Sequence, residues 1–91
     1  GPLSYDVAMD KAIAHHKGVD CEYCGDFDAL IVPDIDAGNI LGKCLIVTAK
    51  AEMGGVIMGA KVPIVLTSRG SSAEEKFFSI AVASLMAGQT L

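Results

Sequence analysis

Short aliphatic runs alternate along this chain with segments of helical periodicity, and this alternation limits the folds open to it. Three runs have the length of buried strands: residues 29–32, which end at Pro33, residues 56–58 and residues 64–66. Largely apolar positions that repeat every three or four residues predict three helices: residues 5, 8, 9, 12, 13 and 16; residues 41, 44, 45, 48 and 49; and residues 77, 80, 81, 84 and 85. The predicted order is α-β-α-β-β-α, an α/β fold with a layered α-β-α domain over residues 1–91. Three strands make a thin sheet, so we expect residues outside this chain to complete it.

Composition excludes several classes of protein. The net charge is −4 and no basic stripe is present, which argues against nucleic-acid binding. The apolar runs are too short to span a bilayer, so no membrane association is expected. An odd number of cysteines, without a signal-peptide pattern at the start of the chain, favours reduced thiols and a cytoplasmic location.

The segment Cys21-Glu22-Tyr23-Cys24 has the spacing of half a zinc site or of a redox pair. A second pair with this spacing is missing, and further ligands would have to come from Cys44 or the His15-His16 pair. The favoured interpretation is two loop thiols without a role, and no metal site is predicted.

Two predicted junctions lead from a strand into a helix, which is where open α/β sheets collect ligands. The second junction, residues 66–72, places Arg69 and four hydroxyl side chains just before a helix; the hydroxyls belong to Thr67, Ser68, Ser71 and Ser72. Free N–H groups at a helix start attract anions, Gly70 allows a close approach, and a guanidinium matches phosphate oxygens. Helix capping by Ser71 with Glu74, or by Ser72 with Glu75, explains part of the same pattern, and the spacing favours the two interpretations equally.

The first junction, residues 33–39, opens like a calcium-binding loop with Asp34 and Asp36. Such a loop needs a glycine at its sixth position and a glutamate at its twelfth, and these positions are Asn39 and Leu45. A calcium site is therefore rejected. Capping of the helix by Asp36 and a ligand-facing role for this junction both remain open.

Several segments match a known family in order and spacing: residues 1–6, 16–18, 30–33, 37–41, 59–69 and 72–74. They resemble the C-terminal portion of the phosphate acetyl/butyryltransferase family, most of all phosphate butyryltransferases. The resemblance implies a reversible reaction in which acyl-CoA and phosphate give acyl phosphate and CoA. It further implies a fold similar to isocitrate and isopropylmalate dehydrogenases, with the active site between two α/β domains, and homodimers that need no metal or permanently bound cofactor.

The resemblance also assigns roles to single residues. Ser68, Arg69 and Glu74 correspond to catalytic positions, with Glu75 as a one-residue alternative to Glu74. Substrate-binding positions are Gly38, Asn39, Thr67, Gly70 and Ser71. Because no Cys-His or Ser-His pair lies beside the second junction, direct transfer without a covalent acyl-enzyme is expected.

Three functions are consistent with this pattern. The first is phosphate acyltransfer by an enzyme whose missing N-terminal part supplies the other wall of the cleft, so that the isolated chain turns over weakly or not at all. The second is non-catalytic sensing of acyl-CoA, as in the related tail of bacterial malic enzymes. The third is dimerisation alone. The sequence does not fix the acyl chain length.

Overall fold

The computed structural model describes residues 1–89, which contain four helices and two short strands in the order α1, α2, α3, β1, β2, α4. The chain forms two compact units, Gly1–Ile35 and Asp36–Leu91. This mixture of helices and strands agrees with the coarse sequence prediction. The prediction of one partial domain over residues 1–91 stays a prediction.

The first unit contains two helices where one was predicted, α1 at Tyr5–Met9 and α2 at Lys11–His16. The break is at Asp10, whose backbone is extended and whose carboxylate accepts hydrogen bonds from the N–H groups of Ala12 and Ile13 at 2.8 and 3.2 Å. A short acidic side chain competes well with helical backbone bonding in this way, so Asp10 starts a new helix inside the predicted one.

An ionic contact ties the start of α1 to the end of α2. The Lys17 ammonium pairs with the Asp6 carboxylate, and the Ser4 hydroxyl donates to its other oxygen at 2.6 Å. These two hydrogen bonds, with that of Lys17 the stronger cause, lower the pKa of Asp6 to about 2. Asp6 therefore remains ionised throughout the neutral range.

The core of this unit consists of Val7, Ala14 and Cys24, with three half-buried neighbours packed against it: Ile13, Val19 and Cys21. The segment after α2 is held to the helices because the N–H of Gly25 donates to the carbonyl of Ala8 at 2.8 Å. Gly25 has a φ of +85°, a left-handed conformation that favours glycine.

The second unit contains α3 at Ile35–Val47, β1 at Val56–Ile57, β2 at Ile64–Val65 and α4 at Ala73–Ala87. The strands pair antiparallel, with Val56 opposite Val65 and Ile57 opposite Ile64. Helix α4 packs against both strands. The two strands lie inside the predicted runs, and α3 and α4 cover much of the predicted helices.

The prediction of a buried strand at residues 29–32 is wrong in this structure. A strand needs a neighbour to complete its hydrogen bonds, and none pairs with these residues within residues 1–89. Ile31 is 94 % exposed.

The apolar stripe of the predicted last helix lies on α4 but faces largely outward, with Phe77 67 % and Leu85 71 % exposed. The buried residues of α4 are Ser79 and Ala83 on a different face.

The backbone before β1 approaches α4 closely at Gly54. A Cβ atom on residue 54 would lie 3.0 Å from the carbonyl carbon of Phe78 and 3.1 Å from its Cβ. The next residue, Gly55, donates its N–H to the buried hydroxyl of Ser79 at 2.9 Å, and that hydroxyl donates to the carbonyl of Glu75 at 2.8 Å. A glycine at position 54 thus allows the strand segment and the helix to share this hydrogen-bonded contact.

We expect Gly54→Ala to lower the free energy of unfolding by about 1–3 kcal/mol, because the added methyl meets helix backbone that cannot rotate away. Urea unfolding followed by circular dichroism measures the change. Gly88→Ala is the matched control, since its Cβ has an ordinary contact of 3.7 Å and its φ of −82° suits alanine. Equal stability of the two variants would contradict the close-contact argument.

Candidate functional site

The turn between β2 and α4 is closed by contacts between Ser68 and Ser71. The N–H of Ser71 donates to the carbonyl of Ser68 at 3.1 Å, and the N–H of Ser68 donates to the Ser71 hydroxyl at 3.0 Å. The two hydroxyl oxygens are 3.1 Å apart. The pair fixes where the Ser68 hydroxyl lies relative to the start of α4.

Helix capping is carried out by Ser72, whose hydroxyl accepts a hydrogen bond from the N–H of Glu75 at 3.1 Å. Of the two capping alternatives, the structure therefore has the pair Ser72 and Glu75. Ser71 is left to bond Ser68, and ordinary capping accounts for one serine of the turn.

A cation from α3 reaches this turn. The ammonium of Lys43 donates to the hydroxyl of Ser68 at 3.5 Å, a long contact between exposed groups. From the sequence, Lys43 was considered as a contact for CoA phosphates, with an ordinary solvated lysine as the default interpretation. Asn39 and Lys43 are four residues apart and therefore lie on one face of α3, and this spacing could have identified Lys43 as a site residue.

These groups surround a cavity of about 330 Å³ within the second unit. Five predicted substrate-binding or catalytic residues lie in its wall: Gly38, Asn39, Thr67, Ser68 and Ser71. Besides Glu75, six residues that were not assigned to the site also line it: Gly42, Lys43, Met53, Gly55, Leu66 and Ser79. Residues from α3, from the segment around β2 and from the first turns of α4 therefore meet at one place.

Three of the predicted site residues do not line this cavity. Arg69 and Gly70 lie in the exposed turn, and Glu74 lines a neighbouring cavity of about 370 Å³ with Gly70 and Ser72. The half-buried Glu75 lies in the walls of both cavities. Among residues 1–89 the Arg69 guanidinium has no ion pair that would hold it away from an anion.

The charge distribution suits an anionic ligand at one end of the cavity. Lys43 contributes a positive charge beside Ser68, and α4 directs its N-terminus toward the same turn. Glu75 supplies a carboxylate in the same wall. The arrangement offers a hydroxyl donor, an ammonium and a carboxylate within one cavity.

Other kinds of site have little support in the part of the chain that the structure describes. Within residues 1–89, no three His, Cys, Asp or Glu side chains are gathered as metal ligands would be. None of the helices there has both the length and the apolar character that crossing a membrane requires.

Comparison with known proteins identifies the family. The model of the family described as "Phosphate acetyl/butaryl transferase" matches residues 1–84, and the chain belongs to this family. The resemblance found in the sequence is thereby confirmed.

Curated relatives carry names of both acyl classes. A phosphate butyryltransferase of Clostridium acetobutylicum is 46% identical over 88 residues, which cover 97% of this chain and 29% of that protein. A phosphate acetyltransferase of Thermotoga maritima is 46% identical over 87 residues, covering 96% and 30%. A probable phosphate butyryltransferase of Bacillus subtilis is 52% identical over 83 residues, covering 91% and 28%. The chain thus spans less than a third of the length of these relatives.

A solved structure agrees with the sequence relatives. The crystal structure of a branched-chain phosphotransacylase from Enterococcus faecalis V583 matches with a TM-score of 0.81 and 48% identity, over 92% of this chain and 32% of that chain. The chain therefore has the backbone arrangement of part of a phosphotransacylase.

Proposed function

We propose that this chain supplies one wall of the active site of a phosphate acyltransferase, which transfers a short acyl group, butyryl or similar, between CoA and phosphate. The observation that carries the proposal is the cavity beside Ser68, where a hydroxyl, the Lys43 ammonium and the Glu75 carboxylate meet at the N-terminus of α4. Acyl-CoA and phosphate are its substrates, and no permanently bound cofactor is required. Membership of the acyltransferase family supports this reading.

The other wall of the cleft comes from the missing N-terminal part of the same enzyme. Relatives more than three times as long as the matched segment support this, as do the large apolar side chains exposed on α3 and α4, for example Ile40 and Leu85. We call a protein that contains this chain and has the length of those relatives the family-length enzyme. Its proposed architecture is two α/β domains around a cleft, as in isocitrate and isopropylmalate dehydrogenases, assembled as a cytoplasmic homodimer.

In the direction of acyl-CoA synthesis, the CoA thiol attacks the carbonyl carbon of the acyl phosphate. A thiol has a pKa of about 8.5 and is mostly protonated at neutral pH, so a nearby carboxylate assists by accepting its proton. Glu75 is better located for this step than Glu74, because it shares a cavity with Ser68.

Negative charge then develops on the carbonyl oxygen and on the departing phosphate. The Ser68 hydroxyl is available to donate to the first, and Lys43 provides a positive charge for the second. Arg69, exposed in the adjoining turn, adds a guanidinium for phosphate when the cleft is complete. Thr67, Gly70 and Ser71 hold the phosphate side of the site, while Gly38 and Asn39 contact substrate from α3.

The test is phosphate-dependent release of CoA thiol by the family-length enzyme, compared for acetyl-CoA, propionyl-CoA and butyryl-CoA. We expect turnover with at least one of them, strict dependence on phosphate, and weak or no turnover by residues 1–91 alone, because a cleft enzyme needs both walls. Saturable acyl-CoA binding without turnover would overturn the proposal and favour the sensing function. Formation of a dimer without acyl-CoA binding would favour the dimerisation function.

A further inference from the structure

The two thiols of the Cys21-x-x-Cys24 segment lie in the core of the first unit and not in an open loop. Cys24 is 2 % exposed and packs with Val7 and Ala14, while the half-buried Cys21 packs against the same cluster. The turn that joins them is held at its end, because Gly25 donates its N–H to the carbonyl of Ala8 at 2.8 Å. The surrounding structure therefore holds both side chains in one packed cluster.

The surroundings of the two thiols differ. Hydrogen bonding to the Cys24 thiol, and to a lesser degree to the backbone N–H groups of Tyr23 and Cys24, lowers the pKa of Cys21. Burial raises the pKa of Cys24 to about 11, and its bond to Cys21 acts in the same direction. Cys21 is thus the nucleophile of the pair, and Cys24 holds its proton.

Cys21 is also more accessible from solvent than Cys24. A surface cavity of about 360 Å³ opens onto Cys21 and is also lined by Lys11, His15 and Asp20. Cys24 does not line it. A small molecule that carries a carboxylate can therefore approach Cys21 beside the Lys11 ammonium, whereas Cys24 is shielded by the core.

We propose that Cys21 and Cys24 form a redox-active dithiol that a low-molecular-weight disulfide oxidises to an intramolecular disulfide. The Cys21 thiolate attacks one sulfur of the small disulfide, which forms a mixed disulfide and releases one thiolate. Cys24 then loses its proton to solvent, its sulfur attacks Cys21, and the second small thiolate leaves. Two protein thiols and one small disulfide become one protein disulfide and two small thiols, so two electrons pass to the small molecule.

This assignment replaces the sequence interpretation of two loop thiols without a role. The spacing alone is shared with zinc sites, but residues 1–89 gather no group of three metal-ligating side chains around the pair. The burial of Cys24 and the packing of Cys21 against the same cluster, neither visible in the sequence, favour redox chemistry instead.

Oxidised glutathione is a suitable probe, applied to the folded 91-residue chain over a series of ratios to reduced glutathione. After quenching with an alkylating reagent, peptide mass spectrometry locates each thiol. We expect a Cys21–Cys24 disulfide with the loss of two hydrogens, and an alkylated Cys44. The Cys44→Ser variant is the control and should form the same disulfide at the same ratio, because Cys44 lies on α3 outside the first unit.

Single substitutions separate the two roles. Cys24→Ser should accumulate a glutathione mixed disulfide at Cys21, because the resolving thiol is absent. In the folded Cys21→Ser variant, Cys24 should react with the alkylating reagent at least tenfold more slowly than Cys21 reacts in the Cys24→Ser variant. If the Cys24→Ser variant does not fold, the relative alkylation rates of Cys21 and Cys24 in the unsubstituted chain still show which thiol is the nucleophile. Faster labelling of Cys24, or oxidation confined to Cys44, would overturn the proposal.

Discussion

Glu75→Gln in the family-length enzyme is expected to lower kcat by about 10²–10⁴-fold, whereas Glu74→Gln is expected to retain most of the activity. The reason is location: Glu75 lies in the wall of the cavity that Ser68 lines, whereas Glu74 lines the neighbouring cavity and not this one. A carboxamide keeps the size of the side chain but cannot accept the proton of the CoA thiol. Initial rates of thiol release at saturating butyryl-CoA and phosphate measure the effect.

The two variants control for each other, since both sit in the first turn of α4 and both lose one negative charge near its N-terminus. A change in helix stability would therefore affect them alike. Loss of activity in Glu74→Gln together with normal activity in Glu75→Gln would contradict the geometric argument and support the position that the family resemblance assigns.

The sequence predicted the helices and the two strands of the second unit well because their signals are local. The runs around Val56 and Ile64 are separated by a segment that contains Gly59 and Pro63, and Ser72 precedes α4 as a capping residue. Such features depend on backbone preferences and neighbouring side chains, which a sequence pattern contains. The break at Asp10 was not predicted, because the helical periodicity of residues 5–16 continues through this position and does not show that its carboxylate caps a new helix.

Burial was predicted less well, because it depends on partners that are distant in sequence. The stripe that contains Phe77, Ile80 and Leu85 is apolar with helical spacing, yet it lies exposed while the small residues Ser79 and Ala83 face the strands. Residues 29–32 are likewise apolar and exposed, and they lack a neighbouring strand within the described chain. Both patterns fit surfaces that the rest of the family-length enzyme covers.

The candidate site was predicted in outline and not in detail. The clustering of hydroxyl groups identified the turn at Ser68, and the family resemblance added Gly38 and Asn39, which the structure brings to the same cavity. The contact of Lys43 with Ser68 was missed, because a solvated lysine is the default interpretation and the two residues are 25 positions apart in the sequence. The choice between Glu74 and Glu75 rests on a single step along α4, a rotation of about 100°. Only three-dimensional geometry separates two such positions.

Ser68→Ala in the family-length enzyme is expected to lower kcat by about 10²–10³-fold, which corresponds to about 2.7–4 kcal/mol of transition-state stabilisation. Loss of the hydroxyl should have little effect on folding, since its contacts with Ser71 and Lys43 are between exposed groups. Ser84→Ala is the matched control, because that hydroxyl donates to the carbonyl of Ile80 on α4 and does not line the cavity. Rates of phosphate-dependent thiol release would be measured for both.

A double-mutant cycle with Lys43→Met tests whether the lysine and the serine act together. If Lys43 orients the Ser68 hydroxyl toward the carbonyl oxygen, the two substitutions together should cost less than the sum of their separate effects, with a coupling of about 0.5–3 kcal/mol. Additive losses would mean that the 3.5 Å contact has no catalytic consequence and that Lys43 binds substrate independently. A Ser68→Ala enzyme with normal kcat would remove the donor proposed for the carbonyl oxygen, and with it the reason for placing the acyl phosphate at the start of α4.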